Sequence, residues 1–170
     1  MNKVLARWNQ IASEAAAHEI MACCGSMSWA REMAAQRPFD DESTLVAASG
    51  EIWNGLTTED WMEAFSTHAR IGERKAPAAA GERAAAWSVL EQQSVAAAEQ
   101  GVHAALAEGN RAYEQRFGRV FIVCATGKSA AEILDILRRR LLNDDATEFR
   151  EAAEEQRKIT NIRLKKWLES

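Results

Sequence analysis

Long alanine-rich stretches, broken at intervals by glycine, proline or a Ser/Thr/Asp cap, give most of this chain the pattern of helices joined by short loops. A short helical turn is predicted at 4–8. Ser13 is placed to cap a helix over 14–24 that Gly25 closes, and Ser28 a helix over 29–36 that must stop ahead of Pro38. Ser43 starts a helix that runs to about Asn54 and ends at Gly55. Thr57 or Thr58 starts the next, over 59–67, with Trp61 and Phe65 at i, i+4 facing inward. The stretch 70–81, with Gly72, Pro77 and Gly81, reads as a loop.

Helices follow at 82–100 and 102–116, the second closed by Gly118. Residues 119–125 alone have strand character, in Val120, Phe121, Ile122 and Val123, and no second run exists to pair with them. Buried extended chain is expected there, with backbone groups that need other partners, a polar ligand among them. Ser129 with Glu132 makes a capping box for a helix reaching Leu142, and Asp145 with Glu148 starts the last helix, to about Leu168. The cluster Glu151, Glu154, Glu155, Arg157 and Lys158 reads as a solvated helix face. The expected fold is therefore all-α, a single-domain helical bundle over 1–170 of about seven to nine helices with one short buried extended segment.

Composition narrows the function without supplying it. At 170 residues the chain can bury about two-thirds of its unfolded surface and needs no disulfide or structural metal to fold. A net charge of -4 with interleaved signs speaks against a nucleic-acid or anionic-membrane surface and favours a small-molecule substrate. Cys23, Cys24 and Cys124 show no C-x-x-C or zinc spacing and read as small buried residues in a reducing compartment. With no apolar run long enough to span a bilayer, no signal-like start and Leu168-Glu169-Ser170 in place of a peroxisomal S-K-L ending, a cytoplasmic protein is expected.

Two polar stretches interrupt the scaffold. In one, Ser88, Glu91 and Gln92 stand at i, i+3 and i+4, so on a helix they share a face. Trp87 and Val95, four residues either side of Glu91, put that carboxylate in line with an apolar seam, where it must be paired or carry a raised pKa. A margin Glu or a capping box would give the same spacing. In the other stretch, His68 falls where a helix opens into a glycine-containing loop. His18 and His103 each follow a Glu by four residues and are explained as helix pairs, whereas His68 has no such partner. Spacings of 50 and 35 residues between the histidines match no metal motif, so no metal is expected. Thr126-Gly127-Lys128-Ser129 ends like a phosphate-binding loop, but Ile122 stands where that loop needs glycine, which leaves Ser129 as a helix cap.

Arg37-Pro38-Phe39, His68-Ala69-Arg70-Ile71-Gly72-Glu73, Trp87-Ser88 with Glu91-Gln92, Tyr113 with Arg116-Phe117-Gly118, Phe121 to Ala125, Arg140-Leu141 with Asn143-Asp144, and Lys158-Ile159 with Arg163-Leu164 occur in one order and spacing. In this the sequence resembles the 2-oxo-4-hydroxy-4-carboxy-5-ureidoimidazoline (OHCU) decarboxylases of urate breakdown, the bacterial branch most closely. The resemblance implies a cofactor-independent carboxy-lyase that forms (S)-allantoin. It makes His68 and Glu91 the catalytic residues. It assigns Ser88, Gln92, the backbone of Phe121, Ile122 and Val123, and Arg163 to substrate binding. Similar proteins are often homodimers, although no heptad seam marks an interface here. The family has proline after the histidine, where this chain has Ala69. The alternatives are a non-enzymatic helical module that binds a small heterocycle or partner helix, and a decarboxylase of a related ureido-imidazoline.

Overall fold

The structure is a computed structural model that describes residues 2–72, 82–84, 87 and 100–170. Its helices are α1 (Lys3–Trp8), α2 (Ser13–Cys24), α3 (Met27–Ala35), α4 (Glu42–Gly55), α5 (Thr58–Ser66), α6 (Gln100–Phe117), α7 (Ala130–Arg140) and α8 (Asp145–Leu168). Among the described residues there is no β-strand, so the all-α class expected from the sequence is the class observed. No helix among them is long and apolar enough to cross a membrane. The chain divides into two compact units, Met1–Ala64 with Arg157–Ser170, and Phe65–Gln156.

In the first unit Trp8 is the centre of the packing. Its ring meets Trp167 edge-on at 5.5 Å and stacks with Phe39 at 6.2 Å, and its indole N–H donates to the Ala16 carbonyl at 2.9 Å. Arg37 lies over the same ring, 5.1 Å from its centroid, and donates to the carbonyls of Ala34, Ile11 and Trp8. The Arg37-Pro38-Phe39 triplet is thus a structural clamp: one guanidinium satisfies three carbonyls around α1–α3 and covers an aromatic face, which only the planar fork of arginine can do.

Helix boundaries follow local chemistry, with corrections at several caps. Ser13, expected to cap α2, is instead its first residue, and Ala12 stands at the N-cap, where no side chain accepts from the helix. Gly25 closes α2 at φ 91°, as its lack of a Cβ permits. The next residue is already extended, so Ser26, not Ser28, caps α3 by accepting from the Trp29 N–H; Ser28 hydrogen-bonds Asp60 instead. Asp41, not Ser43, caps α4, in a reciprocal box with Thr44. Thr57 does cap α5, exchanging hydrogen bonds with Asp60. His18 bonds the backbone carbonyl of Glu14 rather than its carboxylate, which pairs with Arg31.

In the second unit α6 and α7 pack around Leu106, Tyr113, Phe117, Phe121, Ile133 and Leu137. Gly109 makes that approach close: a Cβ there would lie 2.6 Å from Leu137 Cδ2. Gly101, placed by the sequence just before a helix, is already the second residue of α6, a position where one glycine costs at most about 1 kcal/mol. Gly118 ends α6 at φ 66°, and Ser129 with Glu132 forms the expected capping box on α7. The segment between them is non-helical, with Phe121 to Ala125 all buried. Asp144, rather than Asp145, caps α8 by accepting from the Thr147 N–H at 2.8 Å, and Glu148 faces the interior instead of completing a capping box.

Candidate functional site

His68 sits two residues beyond α5, and its N–H closes a last turn on the Phe65 carbonyl at 3.2 Å. His68 is buried, with 8% of its surface exposed. Its Nε2 lies 2.6 Å from Oε1 of Gln156 on α8, a residue with no exposed surface. Eighty-eight positions separate the two, so no local spacing could have given His68 this partner. Three residues earlier Phe65 meets Phe149 of α8 edge-on at 5.6 Å. Phe149 and Gln156 are two helical turns apart on one face of α8, and they receive Phe65 and His68 in register.

The residues after His68 are fastened to α6. Arg70 makes a two-pronged ion pair with Glu114, through Nε at 2.5 Å and Nη2 at 2.9 Å, and Asn110 Nδ2 donates to the Ile71 carbonyl at 2.9 Å. Asn110 and Glu114 are one turn apart, so a single face of α6 fixes the chain on one side of the histidine while α8 holds its ring.

The extended segment is held by charge rather than by a strand partner. Arg140 Nη1 donates to the Ile122 carbonyl at 2.6 Å, and its guanidinium lies 4.7 Å from the Phe121 ring centroid. The Cys124 N–H donates to Glu155 Oε2 at 2.7 Å, and Lys128 Nζ donates to the Cys124 carbonyl at 2.8 Å. Behind this segment Glu148 Oε1 accepts from Arg140 and from the Tyr113 hydroxyl, and Oε2 from Asn143 Nδ2. Burial, reinforced by the bond to Glu148, raises the Tyr113 pKa above the ordinary tyrosine range. The Ile122 carbonyl and both backbone groups of Cys124, which have no strand partner, are therefore taken by protein side chains.

Arg163, on α8, is 1% exposed, and its Nη1 donates to the Ala22 carbonyl at 3.4 Å. It belongs to the first unit, His68 and the extended segment to the second. Ser88, Glu91 and Gln92 lie outside the described residues. Among the described residues no three His, Cys, Asp or Glu side chains cluster as metal ligands would. Gln156, Glu155, Glu148 and Arg140 escape a reading of the sequence as site residues, the first two because they sit in a charged run that looks like a solvated face.

The sequence profile of the OHCU decarboxylases matches residues 9–165. The chain belongs to the OHCU decarboxylase family. The "Uric acid degradation bifunctional protein TTL" of Arabidopsis thaliana is 36% identical over 158 residues, 92% of this chain, which spans 48% of that protein's length. The "2-oxo-4-hydroxy-4-carboxy-5-ureidoimidazoline decarboxylase" of Haloferax volcanii is 27% identical over 137 residues, 80% of this chain and 79% of that one. A crystal structure of an OHCU decarboxylase in the presence of (S)-allantoin matches the fold with a TM-score of 0.77 at 33% identity, covering 89% of this chain and 98% of that one. Relatives come from a plant, an archaeon, bacteria and a fish, a spread that gives no support to a placement in the bacterial branch.

Proposed function

We propose that this chain catalyses the decarboxylation of OHCU to (S)-allantoin in urate breakdown, with no cofactor. The observation that carries the reading is the family match across residues 9–165, which spans both polar stretches singled out in the sequence. Loss of carbon dioxide leaves an electron pair on carbon, and many enzymes supply a cofactor to accept it. In OHCU the carboxylated carbon neighbours a C=N bond, so the substrate carries its own sink. The protein then has to bind, orient and move protons.

In this reading His68 is the general acid/base at the substrate hydroxyl and Glu91 the second acid/base or orienting group. Ser88 and Gln92 hydrogen-bond the ring and ureido groups, whose amide-like edges suit side chains that both donate and accept. Arg163 takes, from the family pattern alone, the part of a donor fork for a carboxylate or carbonyl. Phe121, Ile122 and Val123 contribute main-chain groups other than the Ile122 carbonyl, which Arg140 occupies. We place the protein in a reducing cytoplasm, a reading supported by three buried cysteines that form no disulfide, and hold a second copy of the chain as its partner, to be tested by light scattering.

The test generates OHCU in place from urate with the two preceding enzymes and follows allantoin by circular dichroism. Fast (S)-allantoin, lost in folded His68→Gln and Glu91→Ala variants, is expected. Racemic allantoin at the background rate would defeat the assignment and leave a small-heterocycle binding module in its place.

A further inference from the structure

We propose that Gln156 is the positioning residue of His68: its side-chain oxygen holds the Nε2–H of the imidazole and thereby makes Nδ1 the nitrogen that takes up and returns the proton. The inference rests on the reading of His68 as acid/base given above.

The geometry carries it. Gln156 Oε1 is 2.6 Å from His68 Nε2, and a carbonyl oxygen only accepts, so in the neutral ring the proton of the pair belongs to Nε2. Gln156 has no exposed surface and His68 is 8% exposed, so water does not readily replace the bond. A neutral ring with Nε2 protonated carries its basic lone pair on Nδ1. When Nδ1 takes a proton from the substrate hydroxyl, the ring becomes an imidazolium with both nitrogens protonated. Gln156 keeps the Nε2–H throughout, and the same proton leaves again from Nδ1.

An amide suits this part better than a carboxylate. A carboxylate beside the ring would favour the imidazolium and hold the proton where a base is needed, whereas an uncharged acceptor orients the ring with little bias to its charge. Gln156 is itself held in place from two sides along α8. The preceding residue, Glu155, accepts the Cys124 N–H at 2.7 Å, and Phe149, on the same face two turns earlier, packs on Phe65. Helix position, and not side-chain flexibility, therefore sets where the amide oxygen meets the ring.

The experiment reads the tautomer directly. In ¹⁵N-histidine NMR spectra of the wild-type chain, the His68 signals, assigned by their absence from His68→Gln, are expected to show a protonated Nε2 and a pyridine-like Nδ1. Gln156→Met, close in size but without an acceptor, is expected to lose that single tautomer and to lower kcat on the order of tenfold or more with KM little changed. Gln156→Glu, which keeps an acceptor, should retain the Nε2–H. A neutral wild-type ring protonated on Nδ1 overturns the proposal whatever the activity and whether or not Gln156→Met folds. Wild-type turnover in a folded Gln156→Met chain overturns it as well. The expected tautomer together with a fully active His68→Gln would instead strike down the acid/base reading beneath it, so the two failures are told apart.

Discussion

Arg140 and Glu148 form an ion pair in which neither side chain touches solvent: Arg140 Nε and Nη2 both reach Glu148 Oε1, at 2.8 and 2.5 Å. Such a pair adds little over well-packed apolar residues, but removing one partner strands the other charge in the core. Arg140→Met leaves Glu148 with only Tyr113 and Asn143 and takes away the donor to the Ile122 carbonyl. A loss of about 3–5 kcal/mol in urea denaturation is expected, with a smaller loss when Glu148 is also replaced by an apolar residue. A single variant within about 1 kcal/mol of wild type would show that the pair is not the clamp described.

Tyr113 makes the same network sensitive to alkali. Its folded pKa is raised above the unfolded one, first by burial and then by its bond to Glu148. Above about pH 10 the unfolded chain therefore loses this proton before the folded chain does. The stabilisation is complete below that pH and is lost as pH climbs toward the folded pKa. Tyr113→Phe should cost about 1–2 kcal/mol at pH 7 yet show a shallower fall in urea midpoint between about pH 9 and 11. Parallel curves for the two proteins would contradict this.

How far these features were legible in the sequence can be judged residue by residue. Gly25, Gly118 and the Ser129–Glu132 box were readable because a helix end is a local event, decided by a Cβ or a hydroxyl within three residues. The burial of Phe121 to Ala125 was readable from an apolar run without a strand to pair with. Glu148 was misread as half of a capping box because its spacing from Asp145 is right for one, while its actual partners, Tyr113, Arg140 and Asn143, are set by tertiary packing. Glu155 and Gln156 were hidden for the same reason: in the run 154–158 only Glu154 and Lys158 are exposed, and nothing local marks which members turn inward. His68 itself came from its place at a helix end and from the family pattern, and its burial against Gln156 came from neither.

Cys24 offers a second alkaline limb in the first unit. Burial raises its thiol from an ordinary 9.0 to about 12, so the neutral form is the one that the fold holds. Its contribution to stability is intact below about pH 9 and is lost as pH rises through about 12. Native chain at pH 8 should leave Cys23, Cys24 and Cys124 unreactive toward a thiol reagent, all three reacting in urea, because buried thiols are out of the reagent's reach. Rapid labelling of any one thiol in the native chain would place it outside the core.

Glu155 satisfies a backbone donor that an unpaired extended segment would otherwise leave bare, the Cys124 N–H at 2.7 Å. Glu155→Gln keeps an acceptor and should be mild. Glu155→Ala leaves the N–H partly buried without its partner, a cost of about 1–3 kcal/mol. Hydrogen exchange at Cys124 reads the difference: the amide should be protected in the wild type and in Glu155→Gln, and exchange at least tenfold faster in Glu155→Ala. Equal protection in all three would mean that the segment holds without this bond.

The departure from the family pattern at Ala69 lies beside the histidine on which the proposed chemistry depends. Proline there would fix its own φ near −65° and bias His68 away from the helical region, trimming the unfolded chain's freedom at the position that aims the ring. No residue other than glycine has a positive φ among the described residues, so Ala69 has the sign of φ that the proline ring requires. Ala69→Pro should therefore fold, gain about 0.4–1 kcal/mol in denaturation, and raise kcat with KM unchanged, because a fixed backbone torsion beside His68 narrows the range over which its ring is aimed. An intact fold with the same or a lower turnover would show that Gln156, and not the residue after the histidine, is sufficient to hold His68 in place.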